Sequence, residues 1–160
     1  MILTNDASLN HRLLDPQFAH EREYWVQVEG AIDTGAIHQL ESGIVISLDG
    51  KSYTTRPARV SLLSGGAEAS PVMPVAFSDP PGVPVRVPPI RYRAHIPTSW
   101  IKMALKEGKN RQVRKMTAKA GFPTLRLIRY RIERLNIEGW QPGDMRAMRQ
   151  QEIYPLLFGR

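Results

Sequence analysis

The chain has 160 residues and not one cysteine. Disulfides and cysteine-based metal sites are therefore excluded, which suits a reducing cytoplasm. No apolar run approaches the ~20 residues that a membrane span requires, so no membrane partner is expected. Met1-Ile2-Leu3-Thr4-Asn5-Asp6 lacks a basic region followed by an apolar stretch and does not read as a signal peptide. Its apolar start looks instead like the end of a strand. His11, His20, His38 and His95 are scattered, with no close His/Asp/Glu spacing suited to a metal. Nothing matches G-x-x-x-x-G-K-S/T or G-x-S-x-G, which argues against a nucleoside-triphosphate enzyme and a serine hydrolase. Gly65-Gly66 precedes no helical pattern and reads as a turn.

Acidic residues are scarce in one stretch. Arg86 to Arg134 holds 14 Lys and Arg against Glu107 and Glu133, a net charge of +12. The rest of the chain sums to −5, so this stretch carries the whole excess behind the formal +7. A solvated surface normally mixes both signs. A concentrated positive field is what a polyphosphate partner requires.

The length fits one domain, or two small halves sharing a core. Leu9 to Leu14 reads as a short helix capped by Ser8 and ended by Pro16. Glu23 to Glu29 reads as a strand, being rich in aromatic and β-branched residues. Thr34 is the expected cap of a helix through Glu41 that stops at Gly43. Gly43 to Leu48 is a second strand before the turn Asp49-Gly50, and Ala58 to Leu63 a third. Ser64 to Pro97 is an extended excursion, with eight prolines between Pro71 and Pro97. Trp100 to Leu105 resumes the β pattern, and Thr124 to Ile132 is a further strand. Asp144 to Leu157 is a last helix, interrupted at Pro155.

The most informative segment is Glu107-Gly108-Lys109-Asn110-Arg111-Gln112-Val113-Arg114-Lys115-Met116. A helix is expected from Asn110, as N-cap, to Ala120. Val113, Met116 and Ala120 share one face, and Arg111, Arg114, Lys115 and Ala118 share another. Helix N-termini attract anions, and the added cations make a phosphate-binding corner.

Residues 108–116 also resemble the G-K/R-x-R/H-Q-V/I-R-R/K-M signature of ribosomal RNA pseudouridine synthases of the small-subunit synthase A type. Further matches follow in order: Leu3-Thr4-Asn5-Asp6 with Leu9 and Arg12-Leu13, Arg22-Glu23-Tyr24 at a strand start, and Pro57-Ala58. Pro88-Pro89-Ile90-Arg91, Ile96-Pro97-Thr98-Ser99-Trp100 and Gly121 to Tyr130 look most like the large-subunit synthase E branch.

The resemblance implies isomerisation of uridine to pseudouridine in ribosomal RNA, with that RNA as partner and no metal or cofactor. An aspartate attacks the target nucleotide at the ribose or the uracil ring. The bond to N1 breaks, and the base turns and rejoins through C5. Tyr24 is implied as the residue that packs on the base and helps remove the C5 proton. Arg114 is implied as the partner that orients the aspartate, and Leu127 as the apolar wall, with Leu125 competing for that place. Lys109, Arg111, Gln112, Lys115, Arg126 and Arg129 are the expected RNA contacts. A flipped pyrimidine needs a flat surface and a dry wall, and a carboxylate nucleophile needs a cation beside it.

The family's aspartate sits in G-R-L-D-x-x-S/T-x-G-L-L-x-L-T, which would place it before Met1. No aspartate present follows Gly-Arg-Leu, and Asp6 belongs to the later Leu-Thr-Asn-Asp element. The expectation is thus one catalytic domain over residues 1–160, truncated at its N-terminus and without an accessory N-terminal RNA-binding domain. The 160 residues alone are expected to be inactive. A non-catalytic ribosomal-RNA-binding protein on the same fold is the alternative, and a DNA-binding module a more distant one. The expected fold is α+β, a mixed and largely antiparallel sheet flanked by helices, with two halves around an RNA cleft.

Overall fold

A computed structural model describes residues 1–63, 79–90 and 96–159. The chain begins with helix α1 (Ala7–Leu14), a 3-10 turn (Pro16–Phe18) and strand β1 (Arg22–Glu29). Helix α2 (Thr34–Ser42), a hairpin of β2 (Val45–Leu48) and β3 (Lys51–Thr54), and strand β4 (Arg59–Leu62) follow. After the excursion come β5 (Thr98–Leu105), α3 (Gln112–Lys119), β6 (Thr124–Ile132), β7 (Leu135–Asn136) and α4 (Gln150–Phe158). The main sheet runs β4-β5-β1-β6-β7, and every described pair is antiparallel. The fold is α+β.

β1 lies at the centre because its side chains suit two buried faces. Val26 and Val28 are fully buried, and register places Val26 opposite Ile101 and Leu127. On this face they join Met103, Leu105, Leu40, Ile44, Ile46, Val60 and, from α3, Val113 and Met116. Tyr24 and Leu127 pack against the edge of the same cluster. The other face carries Glu23, Trp25 and Gln27. Trp25 stacks on Tyr130 with ring centroids 4.0 Å apart. Gln27 lies opposite Trp100 and Arg126.

Aspartate side chains set the starts of α1 and α2, one residue or more ahead of the expected caps. Asp6, not Ser8, caps α1 by accepting from the N–H groups of Ser8 and Leu9. Asp33, not Thr34, caps α2 through the Ala36 N–H at 2.7 Å. An aspartate just ahead accepts where a hydroxyl was expected to. The hairpin turn has positive φ at both Asp49 and Gly50, the geometry of a tight two-residue reversal. Gly43 is required, since a Cβ there would lie 2.4 Å from the Thr55 carbonyl oxygen.

Three expectations change. Residues 1–6 form no strand among the described residues. The last helix starts at Gln150 rather than Asp144, whose carboxylate instead closes a turn by accepting from the Gln141 N–H. Pro155 lies inside that helix and does not end it. The excursion has neither strand nor helix over 79–90, while Gly65-Gly66, Arg91 and His95 lie outside the described residues. Among the described residues no helix is long and apolar enough to cross a membrane.

Candidate RNA-binding and base-modifying site

β1 and α3 place Tyr24 and Arg114 on one side of the sheet, 90 positions apart in sequence. Tyr24 faces the α3 side because it shares the parity of Val26 and Val28. Its cross-strand neighbours are Met103 on β5 and Arg129 on β6. Side chains directly opposite on antiparallel strands stand about 5 Å apart at Cβ, so Arg129 borders the tyrosine. Leu127, two residues along β6, continues the same face opposite Val26. The register shifts between Gln27 and Val28, where Thr124 becomes the partner. That bulge takes Leu125 out of the regular alternation, and Leu127 rather than Leu125 packs on the core edge beside Tyr24.

α3 crosses this face. Val113 and Met116 enter the core, as their spacing requires. The row Arg111, Arg114 and Thr117 follows helical spacing toward β6. Two contacts fix that orientation. The Thr117 and Thr124 hydroxyls meet at 2.7 Å, and the Arg114 guanidinium reaches the Thr124 carbonyl at 3.5 Å. At the other end of α3, Gly108 lies beside Arg22, two residues before Tyr24. The loop before the helix therefore borders the tyrosine end of β1.

The loop is built on a buried carboxylate. Glu107 is 8% exposed and accepts from the Tyr53 hydroxyl at 2.6 Å, the Arg56 N–H at 2.8 Å and the Gln112 amide. The bond to Glu107, then burial, pushes the Tyr53 hydroxyl pKa up. Gln112 also accepts from the Lys109 N–H at 2.9 Å and is 3% exposed. Gln112 was expected among the RNA contacts; both ends of its amide are instead used inside the protein. Asn110 is not the cap either. Arg111 holds that position, in the left-handed region at φ 53, and its side chain makes no capping bond.

Lys109, Arg111 and Arg129 are exposed and Lys115 is half-buried. None of the four forms an ion pair with a described acid. Lys109 instead lies 5.3 Å above the Tyr53 ring. Arg126 is placed differently from the other expected contacts. It points to the opposite face, where its side chain is 11% exposed, bonds Asp79 at 2.6 Å and the Pro84 carbonyl at 2.8 Å, and lies over Trp100. Its alternation with Leu127 carried the signal for that, once the core face was known. The roles of Glu107 and Tyr53 were missed, although Glu107 stood out as the lone acid before a run of cations.

The chain's six aspartates are engaged away from Tyr24 and Arg114. Asp6 and Asp33 cap helices, Asp15 caps the 3-10 turn, and Asp49 forms the hairpin turn. Asp79 pairs with Arg126, and Asp144 accepts from the Gln141 N–H.

The family model for RNA pseudouridylate synthase matches residues 1–119. "Ribosomal large subunit pseudouridine synthase E" of Vibrio parahaemolyticus is 38% identical over 148 residues, covering 92% of this chain and 54% of that protein. The protein of the same name from Xanthomonas campestris is 39% identical over 155 residues, covering 97% of this chain and 73% of that one. The chain thus spans about half the length of the first relative and nearly three-quarters of the second. A solved structure described as a pseudouridylate synthase superposes with a TM-score of 0.68 at 21% identity, over 96% of this chain and 52% of that one. It shares the fold. With a family model spanning most of its length, the chain belongs to the RNA pseudouridylate synthases.

Proposed function

We propose that this chain acts in the isomerisation of uridine to pseudouridine in large-subunit ribosomal RNA, in the cytoplasm, as one catalytic domain over residues 1–160. The observation that carries the reading is the shared face: α3 sets Arg114 and cations without a described acidic partner on the side of the sheet that bears Tyr24, Leu127 and Arg129. Lys109, Arg111, Lys115 and Arg129 neutralise backbone phosphates. Tyr24 offers a flat surface to the extruded base and a hydroxyl for the C5 proton, and Leu127 excludes water beside it. Arg114 orients the attacking carboxylate and keeps it ionised. Stacking and a dry wall lower the cost of holding a base out of its helix; the cations hold the strand from which it came.

Each of the chain's own aspartates is engaged elsewhere, so the attacking carboxylate is not assigned among them; RNA binding without chemistry is the second reading. The two readings separate in one experiment. The 160-residue chain and a version carrying a Gly-Arg-Leu-Asp segment ahead of it are each incubated with unmodified ribosomal RNA, and pseudouridine is mapped chemically. The expected result is binding by both and product from the longer version alone. In that version Tyr24→Phe should lower turnover by about 10²-fold, as loss of a proton-transfer group does. Product from the 160-residue chain would overturn the placement of the nucleophile. Binding without product from both would favour the non-catalytic reading. Equal competition by duplex DNA would remove ribosomal RNA as the partner.

A further inference from the structure

Glu107 is the one acid within the basic loop, and its environment is unusual. It is buried, yet no described cation forms an ion pair with it. Its hydrogen bonds come from neutral donors: the Tyr53 hydroxyl, the Arg56 N–H and the Gln112 amide. Burying a carboxylate is costly unless its lone pairs are filled, and an arginine is the usual donor. Here the cations nearest in sequence, Lys106, Lys109 and Arg111, are all exposed. With the carboxylate's lone pairs filled by neutral groups, these cations are held in no ion pair among the described residues.

The same bonds determine the loop's path. Gln112 bridges Glu107 to the Lys109 N–H, closing residues 107–112 on themselves. Tyr53 ties that closed loop to the β2–β3 hairpin, and its ring supports the Lys109 ammonium. Arg111 sits at φ 53, a conformation disfavoured by about 1 kcal/mol for a residue with a side chain. Such a conformation persists where the surroundings over-determine it. The closed loop supplies that constraint and leaves the Arg111 side chain free of any capping bond.

We propose that Glu107, held by Tyr53 and Gln112, is the positioning residue of the RNA-binding loop. It sets Lys109 and Arg111 in a fixed arrangement against one stretch of RNA backbone, without itself touching RNA. This rests on the proposed RNA-binding reading and adds to it a named internal group on which affinity depends.

The test uses the sign of an effect. Glu107→Gln removes a negative charge, so a purely electrostatic loop would bind RNA more tightly. Positioning requires the reverse: the amide oxygen can keep the Arg56 N–H and Gln112 bonds while the Tyr53 hydroxyl turns to accept from the new NH2, but all three bonds lose the strength that the carboxylate charge gives them. Binding to a transcribed large-subunit ribosomal RNA is measured across a salt series, well below the melting temperature of each variant. Glu107→Gln should bind about tenfold more weakly, the scale of a misplaced charge-assisted contact. Tyr53→Phe keeps every charge and the ring beneath Lys109 and should bind about threefold more weakly, as the loss of one hydrogen bond implies.

A role confined to stability would lower the melting temperature while leaving affinity unchanged. That result, or tighter binding by Glu107→Gln, overturns the proposal. If Glu107→Gln does not fold, Tyr53→Phe decides alone, and unchanged affinity overturns it. Arg111→Ala with Lys115→Ala is measured in parallel. If that pair leaves RNA binding intact, the RNA-binding reading itself has failed; if it weakens binding while Glu107→Gln and Tyr53→Phe do not, only the positioning role has.

Discussion

The two faces of the central sheet use arginine in opposite ways. On the α3 side, Arg111 and Arg129 stand without a described acidic partner, and Arg129 borders Tyr24. On the other side and at its end, the arginines are consumed by acids. Arg131 bonds Glu21 and Glu23, each at 2.8 Å, and Arg59 reaches the same Glu21 at 2.6 Å. Burial lowers the Arg131 pKa, but the bonds to Glu23 and Glu21 outweigh it and hold the guanidinium above its ordinary value. Arg126 pairs with Asp79. Glu133 takes the Glu21 N–H at 2.8 Å and the His20 Nδ1 at 3.1 Å. The lesson is that charge along the chain overstates the charge available to RNA. Acids from the remote segment 21–23 and from Asp79 neutralise part of the basic stretch.

The contrast is open to tests that separate stability from affinity. The largest expected change in stability comes from Arg131→Ala, which strands the carboxylate of Glu23, a residue 8% exposed. Breaking one partner of such a pair should cost about 2–3 kcal/mol, reduced from the fully buried case by the partial exposure of Arg131. Denaturant unfolding should show this loss with the salt slope of RNA binding unchanged; a shallower slope would place Arg131 among the RNA contacts. Arg126→Ala should cost somewhat less, about 1–2 kcal/mol, by leaving Asp79 and the Pro84 carbonyl without a donor. Its salt slope should also hold, against the expectation from sequence that Arg126 meets RNA.

On the α3 side the order reverses. Arg111→Ala with Lys115→Ala should change stability by no more than about 1 kcal/mol, since Arg111 is exposed and the half-buried Lys115 forms no ion pair with a described acid. The slope of log affinity against log salt should become shallower by about 0.7–0.9 for each phosphate that is no longer neutralised. An unchanged slope would erase the difference between the faces. The smallest effect concerns Asp6. Bonds from the Leu9 N–H and the Tyr154 hydroxyl hold its carboxyl below the usual aspartate range. A depressed folded-state pKa contributes stability at neutral pH that fades as pH falls through the aspartate range toward that lower value. Tyr154→Phe should therefore melt slightly lower near pH 7 and converge with the parent in acid. A constant gap between the two melting curves would assign the loss to packing instead.

Several of these features were legible in the sequence. Val113, Met116 and Ala120 announced the buried side of α3, and Asp49-Gly50 the hairpin turn. Strands were expected over 23–29, 100–105 and 124–132, and the structure has them over 22–29, 98–105 and 124–132. β3 was missed because Lys51-Ser52-Tyr53-Thr54 is short and polar; its pairing with β2 forms it. An amide next to arginines reads as an RNA contact in the sequence; only the structure shows Gln112 buried and bonded to Glu107 and the Lys109 N–H.

By itself the sequence determined composition, charge segregation, helix and strand periods, and the motif order that marks the family. All of these are local or additive, so they survive without coordinates. Tertiary structure alone decided which side of the sheet each residue of β1 and β6 would take. It brought Tyr24 within reach of α3, turned Arg126 to the far face, and buried Glu107 among neutral donors. Those outcomes depend on register and on partners tens of residues away. A one-residue shift in pairing moves every side chain to the opposite face, and a cation is free or spent according to whether a distant acid folds against it.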